Sequence, residues 1–432
     1  MRTALVTCGT RGDTQPMVVL ALELQRRGHS VVLGVSPNLL DWCARAGVPA
    51  LPVGPDSQAF MESPRGQEWL AAGNARAFMA ALSAEAHEHA ATTRGQLRAV
   101  TDGADLVVAG ILAEDEAAVC AEAAGVPFVA LHSFPVRRTS AYPAALVTQR
   151  HLPGRVNRLT HRLFEQVWWR GVRGDVAALR RELALPAARR STARQLAGTG
   201  ATELQAYSPL LVPALDDYGT HRPLVGFLSP TEELRGRLGE SGVGAELGSW
   251  LAAGDPPVYV GFGSMPVTDP EAALDQVRQV CARLGRRALV SAGWSRFGAG
   301  GSEQVMVVGA VDHDAVLPRC VAAVHHGGAG TTAAVVAAGL PSLVCSVFAD
   351  QPFWGERLRA LGVGAHVRFT DLDEAVLEQG LRTALEPAVA ERAALLGEGL
   401  REEGGAERLV ADLLEVEGVR VAGRGQAGAG PR

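Results

Sequence analysis

Ala323-Val324-His325-His326-Gly327-Gly328-Ala329-Gly330-Thr331-Thr332 decides how this chain reads. The apolar run Cys320 to Val324 predicts a buried strand, and the small residues Thr331 to Ala338 predict a helix. Glycines join the two. Strand, glycine turn and helix together aim free backbone N–H groups and the positive end of a helix at an anion. Gly328 and Gly330 carry no Cβ, so an oxygen atom can approach the backbone closely. His325 and His326 add side-chain donors at the same mouth. A second strand, Leu343 to Phe348, delivers Asp350 and Gln351 to the same sheet edge.

Two ligand chemistries fit this stretch. Gly328-x-Gly330-x-x-Ala333 matches a dinucleotide fingerprint, with Asp350 near the offset of an acid that binds ribose. A nucleotide-sugar site is the other: the helix end holds a diphosphate, and Asp350 and Gln351 hold sugar hydroxyls. A ligand-free tight turn is the bland reading. Paired imidazoles at a turn mouth are poor core residues and speak against it.

Working outward, the N-terminal stretch repeats the layout. Thr3 to Thr7 predicts a strand, Cys8 to Pro16 a turn, Met17 to Arg27 a helix capped by Gly28, and Val31 to Val35 a second strand. This βαβ unit predicts a parallel sheet. Residues 56–100 read as polar helices. His87-Glu88-His89 fails the H-E-x-x-H pattern and reads as a solvated face. A strand (Leu106 to Ile111), a helix (Glu114 to Ala124) and a strand (Pro127 to Leu131) follow. The loop His132 to Pro143 lies where open α/β sheets carry binding residues, which makes His132 and Tyr142 candidates for contact with an acceptor. Residues 144–190 read as helical, with Phe164, Val167, Trp168 and Trp169 on a face that packing explains best. Residues 209–235 read as a linker, and Asp216-Asp217 within it as solvated.

The pattern then restarts. Pro257 to Gly261 is a strand, Phe262 to Met265 a glycine turn, Glu271 to Leu284 a helix, and Arg287 to Ser291 a strand; a loop, Phe297 to Ser302, and a strand, Val305 to Val308, lead to Asp312-His313. Asp105 to Leu131 rhymes with Val321 to Cys345. The fold class is therefore α/β: two doubly wound, Rossmann-like domains facing across a cleft, residues 1–208 and 236–417, with a disordered tail over 418–432.

Composition sets the outer limits. The 432 residues are 47% hydrophobic and 20% charged, with a net charge of −5, so there is no global pull toward nucleic acid. The chain has no lysine; every basic side chain other than histidine is arginine. Six scattered cysteines form no C-x-x-C pair and read as buried thiols of a reducing compartment. Met1 runs straight into a strand, without a signal-peptide run or a membrane-length apolar segment, so a cytoplasmic protein is expected, monomeric or homodimeric.

With these motifs in order, the chain resembles the nucleotide-sugar-dependent glycosyltransferases of family 1 with the GT-B fold, of the bacterial natural-product and sterol type. Gly9-Thr10-Arg11-Gly12-Asp13-Thr14-Gln15-Pro16, Gly261-Phe262-Gly263-Ser264-Met265, the histidine–glycine stretch and Asp350-Gln351-Pro352-Phe353-Trp354 carry the resemblance. It implies that His325, Gly327 and the N–H groups of Gly328, Gly330 and Thr331 hold the diphosphate. Ser264 reaches it from the first turn of the second domain. His313 sits beside the nucleobase, Asp350 and Gln351 bind the donor sugar, and Asp13 is the base that activates an acceptor hydroxyl. Inversion follows from attack opposite the leaving group. The resemblance implies no metal and no cofactor beyond a UDP- or dTDP-sugar co-substrate, with UDP-glucose and a lipophilic or aromatic acceptor favoured. A dTDP-deoxysugar transferase of antibiotic biosynthesis and a catalytically silent auxiliary protein of the same fold are the alternatives. A carboxylate near a helix N-terminus should have a lowered pKa, and Asp13 could instead cap the first helix.

Overall fold

The computed structural model describes residues 1–72, 75–263, 269–293 and 300–427. The N-terminal sheet contains β1 (Arg2–Val6), β2 (Ser30–Val35), β3 (Ala50–Pro52), β4 (Leu106–Gly110), β5 (Phe128–His132) and β6 (Glu203–Gln205). The C-terminal sheet contains β7 (Val258–Gly261), β8 (Ala288–Ser291), β9 (Gly300–Gly301), β10 (Val305–Val308), β11 (Ala322–His325), β12 (Ser342–Ser346) and β13 (Gly364–Arg368). The strand orders are β3-β2-β1-β4-β5-β6 and β13-β12-β11-β7-β8-β10-β9. Read from β10 to β13, the second repeats the first, and the pairings are parallel except for the short β9 on β10. The internal rhyme of the sequence is therefore a repeated topology. Helices cover both faces, so the strands are apolar on both sides: Leu106, Val107, Val108 and Ala109 are all fully buried.

The first helix runs Arg11–Arg26 and starts six residues before the expected Met17. Thr10 and Asp13 form a reciprocal capping box, which supplies the helix start. Pro16 lies inside the helix and forfeits only the bond its missing N–H would have made one turn back.

The connector is closely packed: Leu211, Val212, Leu215 and Tyr218 are buried between the lobes. Two further expectations are corrected. Asp217 is not a solvated acid. It accepts bonds from Thr139 Oγ1 at 2.7 Å and from the Ser140 N–H at 2.7 Å, and it pairs with Arg158. The last helix, Ala406–Ala427, continues ten residues past the expected end of order; alanine and arginine are good helix formers despite the interspersed glycines. Residues 428–432 lie outside the described residues. This helix belongs to the N-terminal core, where Val410, Ala411 and Leu414 pack with Leu20 and Leu24. Arg27 pairs with Asp412 at 2.5 Å, and His29 with Glu415 at 2.9 Å. The helix Glu232–Leu238 joins the same core through Leu234 and Leu238.

Candidate functional site

The site is built where strands end. β1 ends at Val6, and the chain turns through Gly9, whose φ of 116° suits glycine. Asp13 then projects from the first turn of the helix. Its Oδ2 accepts the Thr10 N–H at 2.9 Å and the Thr10 hydroxyl at 3.3 Å. The capping role is thus real. Burial nevertheless dominates its chemistry: desolvation raises the carboxyl to about 6, and the Thr10 bonds only reduce that shift. The lowered value expected at a helix N-terminus is overturned, because loss of water outweighs the helix end.

Asp350 faces it from the other lobe. Burial first, and then the charge of Asp13, raise its carboxyl to about 7. The Trp354 Nε1–H, which donates to Asp350 Oδ2 at 2.8 Å, and the Ala329 backbone oppose that shift. The Asp350 carboxyl therefore feels the charge of Asp13 from the opposite lobe. Gln351 is buried, and its amide oxygen accepts the backbone N–H groups of Val347 at 2.9 Å and Phe348 at 3.2 Å. It thereby fixes the loop that carries Ala349, a non-glycine residue at φ 54°.

β11 delivers His325, which is 0% exposed. Its Nδ1 accepts the Gly327 N–H at 3.2 Å, while its Nε2 is buried with no protein partner. Burial, with neighbouring His326 and His313, holds it neutral by lowering it to about 3. The helix Ala329–Ala337 begins after Gly328, and no side chain caps it. Asp350 engages the Ala329 backbone, so the N–H groups left for a ligand are those of Gly330 and Thr331. Gly327 needs its lack of a side chain: φ is +90°, and a Cβ would lie 2.7 Å from Val344 Cγ1 and 3.0 Å from the Gln351 carbonyl. Gly330 is the opposite case, with open space where a Cβ would point. Gly327→Ala should lower stability by about 1–3 kcal/mol, read as the shift of a urea unfolding midpoint. A wild-type midpoint would refute the strained turn.

His313 begins a short helix beside β7. Its Nε2 is 3.0 Å from the Tyr259 hydroxyl, and burial followed by the nearby Arg11 lowers it to about 4. Arg11 itself is held by Glu240 through bonds of 2.9 and 2.5 Å and lies over the Trp42 ring. Thr331 is half-buried in the first turn of its helix. Ser264 lies outside the described residues.

Of the two residues expected at the acceptor, His132 is placed otherwise. His132 ends β5 fully buried, 2.8 Å from Glu114 Oε2, inside an ion cluster in which Arg137 bridges Glu114 and Glu203. No face of it is open to a cleft. Tyr142 donates its hydroxyl to the Pro213 carbonyl at 2.7 Å and meets Phe353 edge-on at 5.7 Å. It ties the loop to the connector and the C-terminal lobe. Position at a strand end marks a candidate, whereas packing decides which side chains turn inward.

Residues 3–143 match the family described as the glycosyltransferase family 28 N-terminal domain, and residues 301–414 match the erythromycin biosynthesis protein CIII-like C-terminal domain. An uncharacterised glycosyltransferase of Mycobacterium leprae is 37% identical over 428 residues, spanning 96% of either chain. The chain belongs to the family 1 type glycosyltransferases with the GT-B fold. The glycosyltransferase is also 33% identical to O-mycaminosyltylonolide 6-deoxyallosyltransferase of Streptomyces fradiae, covering 94% of this chain and 95% of that one. Sterol 3-beta-glucosyltransferase of Arabidopsis thaliana is 31% identical; the match covers 94% of this chain and 64% of the plant protein. Among solved structures, the glycotransferase of kitacinnamycin superposes with a TM-score of 0.68 at 22% identity, over 96% of this chain and 98% of that one, a likeness of fold.

Some of what shapes this glycosyltransferase's cleft carried no sequence signal. Trp69, from the helix Pro64–Ala72 of the first lobe, meets Phe348 of the second edge-on, with ring centroids 4.7 Å apart. Glu116 is raised to about 8 by burial and by Asp115, so it holds a proton at neutral pH. The Cys8 thiol is pushed up to about 12, by burial first and then by Glu116 and Asp13. Only Arg11 had a visible flag, since it stands inside the N-terminal motif.

Proposed function

We propose that the enzyme moves a sugar, with inversion, from a nucleoside diphosphate donor to a hydroxyl of a lipophilic or aromatic small molecule. Asp13 is the base. A hydroxyl is a weak nucleophile until a positioned group takes its proton, and a carboxyl near pKa 6 is ionised at neutral pH while being more basic than an ordinary aspartate. The observation that carries the reading is the buried Asp13 carboxyl of one lobe within electrostatic reach of Asp350 in the other, where Asp350 meets the start of the helix Ala329–Ala337.

The roles divide by lobe. Gly327, Gly328, Gly330 and Thr331 present backbone to the diphosphate, and the partnerless Nε2 of neutral His325 donates to it as its tautomer allows. Developing charge on the leaving group is stabilised by the helix end, in the place a metal takes in other designs. Asp350 accepts from donor-sugar hydroxyls while Gln351 shapes the loop around them; His313 borders the nucleobase, and Ser264 reaches the diphosphate. Attack from the Asp13 side, opposite the departing diphosphate, inverts the anomeric centre.

UDP-glucose is the favoured donor, given the Asp350-Gln351 pair and a sterol glucosyltransferase among the relatives. A dTDP-deoxysugar is the second reading, supported by the 6-deoxyallosyltransferase relative and by a glycosyltransferase of the same fold solved with dTDP. The six free thiols fit work in the cytoplasm. The test is transfer from labelled UDP-glucose and dTDP-sugars to a panel of apolar alcohols and phenols, with product stereochemistry read by NMR. Transfer with inversion is expected; no turnover from any donor, or retention, would sink the reading. Gly330→Ala sharpens it. The fold has room for that methyl, so stability should hold while nucleotide affinity falls roughly tenfold or more, as a crowded phosphate cradle requires. Wild-type affinity would argue against the cradle.

A further inference from the structure

The helix Gly154–Glu182 has one face that the fold leaves uncovered. Its inner side packs on the helices Ala75–Thr101 and Glu114–Ala124 and buries Asn157, Thr160, His161, Val176 and Leu179. On its outer side Val156, Leu159, Leu163 and Val167 are 40, 59, 53 and 46% exposed. Spacings of three and four residues line them up as one stripe. Val167 was expected in the core, and the helix instead turns it outward. Arg155, Arg162, Arg170 and Arg173 stand exposed on the same outer side. None of these four has an ion-pair partner among the described residues, whereas Glu165 is turned to Arg138 and Arg158 to Asp217. Residues 150–194 hold eleven arginines against three acids, in a chain whose net charge is −5.

We propose that this face docks the protein on the surface of an anionic phospholipid bilayer. Apolar side chains along one stripe, flanked by long cationic ones, suit a helix lying in the plane of the interface: the stripe enters the acyl boundary and the guanidinium groups reach the phosphates. The arginines select this occupant. A two-fold contact between copies would set the same unpaired cations against each other. Attachment would be peripheral, since no helix among the described residues is long and apolar enough to cross a membrane.

Flotation of the full chain with vesicles tests it. Vesicles of phosphatidylcholine and phosphatidylglycerol should carry the protein upward, pure phosphatidylcholine vesicles should not, and about 0.5 M salt should release it. The double variants Leu159→Ser/Leu163→Ser and Arg155→Glu/Arg162→Glu should each weaken capture at least about tenfold, while far-UV circular dichroism and turnover of a water-soluble acceptor stay at wild-type levels. The proposal is overturned if the wild type stays at the bottom with anionic vesicles, or if both variants float as it does. It also fails if the wild type elutes as a dimer that Leu159→Ser/Leu163→Ser makes monomeric, because the stripe is then a contact between copies.

Discussion

Asp13→Asn should reduce turnover by about 10²- to 10⁴-fold and leave nucleotide affinity unchanged. The asparagine oxygen can still accept the Thr10 N–H, so the capping box is largely kept while the base is removed. A thermal midpoint near wild type would separate the two roles. In the wild type the ionised carboxylate is the working form, so kcat/KM should rise with pH and level off above about 6. Asp13 and Asp350 interact, so the observed limb belongs to the pair. Asp350 still holds its proton while Asp13 ionises, so Asp350→Asn should leave the acid limb near pH 6 even as donor binding suffers. A limb that moves by about a pH unit or more would mean that Asp350 is already charged when Asp13 titrates. An Asp13→Asn enzyme with wild-type turnover would remove Asp13 from the mechanism altogether.

Arg137→Met should destabilise the fold by about 3–5 kcal/mol. The guanidinium bridges Glu114 and Glu203, both buried, and methionine would leave two interior carboxylates short of compensation. His132 would still serve Glu114, and Arg222 would still bond Glu203 at 2.8 Å, so the variant should remain foldable. The effect has a pH signature. Burial raises the Glu114 carboxyl, but Arg137 and His132 outweigh it and bring the group down to about 2. Glu203 is lowered as well, with Arg137 again countering burial. A depressed folded-state value stabilises above the ordinary glutamate range and is lost as pH falls through the folded value. The gap between wild type and variant should therefore be widest near neutrality and close between about pH 5 and 2. Denaturant unfolding at several pH values reads it. A neutral-pH gap below about 1 kcal/mol would mean that the cluster relaxes around the loss.

The elements that sequence exposes well here are those whose pattern is local. Fully apolar strands such as β4 and the glycine turn after β11 are visible because composition alone dictates them. The repeat of one half in the other was visible for the same reason. What failed depended on distant neighbours. Pro16 suggested a late helix start, while the cap that sets the true start lay in Thr10 and Asp13. His132 looked available because the acids that surround it, Glu114 and Glu203, come from elements 18 and 71 residues away. Asp13 was assigned a lowered pKa from its helix position, yet burial by the assembled cleft decides the direction. Trp69 could not be matched with Phe348 from a single sequence, since nothing in either segment names the other.

The route of the last helix constrains how this enzyme can be recombined with its relatives. Ala406–Ala427 leaves the C-terminal lobe and lies against Leu20 and Leu24, anchored by Arg27. A hybrid joined once, in the connector, would marry one parent's core to a foreign cap. Two crossovers are required, one after the helix Glu232–Leu238 and one just before Ala406, so that each lobe keeps the residues it evolved to fit.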